Sequence, residues 1–250
     1  MGRGNARLWH IGPLALHVRC LAREWRVTTR EEPTQVDRFT ALGPAAEVPA
    51  PEDGTVQRFA TVPEDERITL RPQLADRAVV VRPDPALGLP PGHDVTFYMS
   101  MPAWVQLVSG QGTPLQGIPV TRPSDTWFGV SRMEGELCYA SRTAARLGLD
   151  ELPRRPGRVI TEVHVRNHGT DLLQVERVQV PAPFLPVYAT AQHTLWTPSI
   201  TVVRKGDEPL AEVRVASGPP AHVGPTTLVA SARKRGVPLM LVRALGALLT

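Results

Sequence analysis

Proline and glycine decide what this chain can be. Its 250 residues include 26 prolines and 20 glycines, scattered as punctuation between short apolar runs. Proline lacks a backbone N–H and glycine weakens any regular element, so the chain is cut into short pieces. The pieces are strand formers. Leu14, Leu16 and Val18 alternate with Ala15, His17 and Arg19, and Trp25 and Val27 alternate with Glu24 and Arg26. Val95, Phe97 and Met99 alternate with Thr96, Tyr98 and Ser100. Val159, Thr161, Val163 and Val165 mark one face of a further strand, with Glu162, His164 and Arg166 on the other. Period-two alternation bounded by turn residues is the signature of an all-β protein.

The expected architecture is two packed β-sandwich-like halves, residues 1–90 and 91–236, with a short apolar helix over 237–250. The proline-rich stretch 83–92 is expected to be a connector that joins no ladder. The prolines of 30–55 allow one edge strand there and no central one. Short strands are expected over 56–62, 67–71 and 78–82. Residues 158–180 are expected to form a hairpin about Asn167–Asp171, with a bulge near Glu176, and Ile200–Val203 another with Ala211–Val215. A short helix is expected over 144–152. His17 falls on the polar face of its strand and is expected half-exposed. The tail places Leu239, Met240, Leu241, Val242, Leu245, Leu248 and Leu249 around a helix with one charge, Arg243. A helix so apolar must be covered, by its own sheet, a protein partner, a second copy or a membrane surface.

A formal charge of +4 is spread as arginines interleaved with Asp and Glu, which does not make the basic stripe of a specific nucleic-acid binder. The run from Leu8 to Val18 is interrupted by His10, Gly12, Pro13 and His17, so it lacks a signal-peptide core. No stretch reaches the ~20 apolar residues of a membrane helix. Cys20 and Cys138 form no metal or redox spacing. A cytoplasmic protein with reduced thiols is expected.

Candidate chemistry is sparse. His164 and His168 have the H-x3-H spacing of a metal site, but it loses that meaning on a strand and its turn, so no metal or cofactor is assigned. Cys138 reads as a core thiol. Glu134 and Glu136 could serve as paired carboxylates, or pair with Arg132, Arg142 or Arg146 as a structural network. Ser124-Asp125-Thr126 followed by Trp127-Phe128-Gly129 reads as a capped turn. Trp127 is expected beneath it in the core; the alternative is a recognition edge on which Trp127 meets a ligand. Asp125, Trp127, Glu134, Glu136, Arg142 and Arg146 form the candidate ligand or partner surface.

Ser124–Gly129, Gly135–Ala140 with Arg142-Thr143, Val165-Arg166-Asn167, Pro181–Leu185 and Leu195-Trp196-Thr197 resemble the family called domain of unknown function 432. The resemblance spans most of the chain, best from about 94 to 216. It departs at Gly157, where the family pattern leads one to expect His. The resemblance brings no activity, cofactor or catalytic residue. It implies proteins with small mechanosensitive channels as genomic neighbours, which suits an accessory role. The function expected is a cytoplasmic interaction or accessory module, not an enzyme. The alternative is a small-molecule or carbohydrate-acting enzyme using the clustered Glu and Arg.

Overall fold

The computed structural model describes residues 3–32, 39–60, 67–110, 112–129, 131, 133–206, 211–236 and the backbone of 241–242. Strand accounts for 56% of it and helix for 3%, so the protein is all-β. Among the described residues no helix is long and apolar enough to cross a membrane.

The chain opens with an antiparallel meander of β1 (Ala6–Ile11), β2 (Leu14–Cys20) and β3 (Glu24–Glu31). β4 (Phe39–Ala45) and β5 (Thr55–Ala60) close its two sides, giving the order β4-β1-β2-β3-β5. Pro44 lies in β4, at the sheet edge, where a missing N–H costs no ladder bond. Leu16, Val18, Trp25 and Val27 are at most 1% exposed and form the core here. After β6 (Ile68–Gln73) the chain leaves this unit for β7 (Val79–Val81), β8 (Leu87–Leu89) and β9 (Asp94–Pro102). It returns for β10 (Trp104–Ser109) and β11 (Pro114–Pro119), which complete a three-stranded sheet in the order β11-β10-β6.

The rest belongs to a second unit, apart from Arg155–Gly157. β12 (Ser124–Gly129) and β13 (Gly135–Ala140) form a hairpin. β14 (Arg158–His168) is followed by β15 (Leu173–Val175), β16 (Val178–Val180), β17 (Val187–Thr190), β18 (Leu195–Trp196), β19 (Ile200–Lys205), β20 (Ala211–Val215), β21 (Thr226–Ala230) and β22 (Leu241–Val242). The largest sheet runs β21-β17-β18-β14-β19-β20-β22, with β9 also paired to β14. A second has the order β12-β13-β7-β16, and β15 pairs with β8. Val159, Thr161, Val163, Val165 and Asn167 on β14, with Phe97, Met99 and Met101 on β9, are at most 1% exposed. The alternation in the sequence therefore places the core face of the central strands.

Tertiary pairing overrides several local expectations. Residues 158–180 are no hairpin: β14 is flanked by β9 on one side and by β18 and β19 on the other, so the returning β15 and β16 pair with β8 and β7 instead. Buried Asn167 directs the exit, its Nδ2 donating to Leu89 O at 2.9 Å and Asp171 O at 2.8 Å. The stretch 83–92 is not bare, because Leu87–Leu89, between its prolines, forms β8. Residues 144–152 are not helical; the Ala145 N–H donates to Arg82 O and Arg146 bridges Tyr98. His17 is buried at 3% exposure, because β2 is the middle strand and Val48, from the β4–β5 connection, brings its carbonyl 3.1 Å from Nε2. The expected hairpin of β19 with β20 is present. Of the expected C-terminal helix, residues 237–240 and 243–250 lie outside the described residues; Leu241–Val242 pair as a strand with β20.

Gly157 has φ +72°, and a Cβ there would meet Val120 Cγ1 at 2.7 Å and Ile11 Cγ2 at 3.2 Å. Both the backbone and the packing exclude a larger residue, so the expected family His has no room.

Candidate functional site

The hairpin β12–β13 carries most of the stretch singled out in the sequence. It pairs without slippage from Ser124↔Ala140 to Gly129↔Gly135. Its end is tight: a Cβ on Gly129 would meet Glu134 O at 2.1 Å, and one on Gly135 would meet Phe128 O at 2.5 Å. Ser131 organises the turn. Its Oγ accepts from the N–H of Met133 at 3.2 Å and Glu134 at 3.0 Å, and its carbonyl accepts from Trp127 Nε1 at 2.8 Å.

This register sorts the motif onto two faces. Thr126, Phe128, Glu136 and Cys138 share one. Phe128 and Cys138 are buried there with Ala78 and Val80. Gln179 of β16 donates to Glu136 and, at 3.3 Å, to Cys138 Sγ. Burial pushes the Cys138 thiol up to about 11, so this is a core thiol and not a nucleophile. Asp125, Trp127, Leu137 and Tyr139 share the other face. Trp127 is 42% exposed and Leu137 47%, and Met133 at the turn is 91% exposed. Trp127 is thus not the core residue expected; its indole is fixed at the surface by Ser131. Tyr139 donates its hydroxyl to Asp76 Oδ1 at 3.0 Å, and burial together with this bond raises its pKa. The Arg77 guanidinium lies 5.2 Å from the Tyr139 ring centroid and 3.2 Å from Asp125 Oδ1.

The other predicted site residues are dispersed. Glu134 sits in the hairpin turn and Glu136 on the face opposite Trp127. Arg142 is exposed in the loop after β13. Arg146 meets β9, its backbone exchanging hydrogen bonds with Tyr98 at 2.7 and 2.9 Å. Arg132 lies outside the described residues. The Thr143 hydroxyl of the family-like motif donates to Ser100 O at 2.6 Å and accepts from Arg158 at 2.7 Å, a structural latch.

A second polar cluster was only half visible in the sequence. Glu162 on β14 stands opposite Tyr98 on β9, and His164 opposite Thr96. His164 Nε2 lies 2.9 Å from Glu162 Oε1, which also accepts from Ser199 Oγ at 3.2 Å. Thr96 Oγ1 is 2.9 Å from His164 Nδ1. His222 Nδ1 lies 3.6 Å from Glu162 Oε2, its ring set edge-on to Tyr98 and Trp196. Burial, then the charge and hydrogen bond of Glu162, raise the Tyr98 pKa. Alternation places Glu162 and His164 together, but Tyr98, Ser199 and His222 join them only through strand order. His168 does not; it lies four residue steps along the strand from His164, about 13 Å away. Among the described residues no group of three or more His, Cys, Asp or Glu is placed to hold a metal ion.

Compared with known proteins, residues 2–245 match the family described as protein of unknown function (DUF432). No curated protein and no solved structure matches the chain.

Proposed function

Because the chain belongs to the DUF432 family, whose description assigns no activity, we propose from its surface that it is an interaction module: the β12–β13 hairpin receives an extended segment of a partner protein along β12. The reading rests on one observation. Trp127, Leu137 and Met133, three large apolar side chains, are exposed on one hairpin whose β12 is the outer strand of its sheet. An outer strand offers backbone donors and acceptors for strand addition, and adjacent side chains supply selectivity. Trp, Tyr and Arg are the residues that dominate binding energy in interfaces, and Trp127, Tyr139 and Arg77 lie together here. The indole held by Ser131 is already ordered, which reduces the entropy lost on binding. We place the module in the cytoplasm, where the buried thiols Cys20 and Cys138 stay reduced.

Site-specific photo-crosslinking in the native cell tests this. A photoreactive residue at position 127 is expected to capture a discrete partner, and one at Leu172, which is exposed to a similar degree, is not. Equal or absent capture from both positions overturns the reading.

A further inference from the structure

Glu162 is the one buried carboxylate among the described residues, and its ion pairs are with histidines, not with Lys or Arg. A desolvated carboxylate with no permanent cation has its charge balanced only when a neighbouring imidazole takes up a proton. The two histidines are not equivalent. His164 is satisfied when neutral: Nε2–H donates to Glu162 and Nδ1 accepts from the Thr96 hydroxyl. His222 has Nδ1 at 3.6 Å from Glu162, beyond good hydrogen-bond length, and is 45% exposed. Neutral, it gains little from Glu162; protonated, it faces an opposite charge in a partly desolvated site.

His222 also sits where such a contact has mechanical consequence. It occupies the short turn Ala221–Val223, which has no buried residue and no side-chain cap. The turn's backbone bonds are local, Val223 N–H to Pro220 O and Gly224 N–H to Ala221 O. Beside the buried Pro220 that opens it, what holds it to the sheet is His222, set edge-on to Tyr98 and Trp196, and Val223, packed on Leu152, Ile160 and Trp196. The strand that follows, β21, is the outer strand of the largest sheet.

We infer that Glu162 and His222 form a proton-operated clasp: protonation of His222 fastens the 219–224 turn, and with it the start of β21, to the central sheet, and loss of the proton loosens it. The groups around the clasp are Tyr98 and Thr96 on β9, Glu162 and His164 on β14, Ser199 before β19, and Arg146, whose backbone meets Tyr98. Of the two histidines that face Glu162, His222 is the one that protonation newly engages.

Amide exchange of Val223 and Gly224, corrected for intrinsic rates, tests the clasp. In the full-length protein their protection should rise roughly two- to fivefold from pH 8 to pH 5.5, the size of a half-exposed ion pair. His222→Gln should abolish that rise, and His164→Gln should preserve it. Glu162→Gln should also abolish it; should that variant not fold, the two histidine variants decide alone. Protection that does not change with pH in the wild type, or that changes equally in His222→Gln, overturns the inference. A dependence that follows His164 instead of His222 does so as well.

Discussion

At the scale of single residues, burial sets the chemistry. Cys138 lies in the family-like motif, yet its thiol is pushed up to about 11 by burial. In the folded protein at pH 8 it should alkylate orders of magnitude more slowly than an exposed thiol; in denaturant Cys20 and Cys138 should both modify, as read by intact mass. Burial also lowers the pKa of His17 from 6.5, against the raising effect of its bond to Val48. Such a group binds its proton more readily in the unfolded chain, so its stabilising contribution is full above pH 6.5 and is lost as pH falls below that. Denaturant midpoints should therefore fall between pH 7.5 and 5 in the wild type, and less steeply in His17→Gln. The core role of Cys138 was legible in the sequence. The burial of His17 was not, because alternation says which face a side chain takes but not whether a distant loop covers that face.

At the scale of elements, the β12–β13 hairpin is held by glycines at its closing pair and by Ser131 in its turn. Gly129→Ala forces a methyl onto Glu134 O, and should cost roughly 1–3 kcal/mol as overpacking does, seen in the unfolding midpoint. Trp127→Ala removes a surface indole with one hydrogen bond and should cost only about 1–2 kcal/mol. A larger loss would mean that the indole is part of the core, and would weaken the interaction reading. Local signals sufficed where the partner strand is the next one in sequence and a short connection joins them, as for β19 with β20. They failed for β14, β15 and β16, whose turn chemistry suits a hairpin but whose partners are chosen by which edges remain open. Tyr98, Ser199 and His222 escaped notice for the same reason: register across non-neighbouring strands, not sequence proximity, gathers them at Glu162.

At the scale of the whole molecule, all-β character followed from proline, glycine and alternation, but the division of the chain left no local mark. The path passes between its two compact units five times, at 73/74, 102/103, 122/123, 154/155 and 157/158. None of these falls in the proline-rich stretch 83–92 that reads as the natural boundary. A fragment of residues 1–90 would lack β10 and β11 and leave β6 without β10, the strand it pairs with. It should give a collapsed or aggregated product, without the dispersed amide spectrum of a folded β domain, whereas a self-sufficient N-terminal domain would give that spectrum. The interleaved path also has an evolutionary side. A domain encoded in one uninterrupted run can be moved between genes by recombination; a unit assembled from three separated runs cannot be cut out and carried elsewhere. These two units can be inherited only together, and any duplication or fusion that spreads them must take nearly the entire reading frame, just as the family match spans residues 2–245 and not one unit alone.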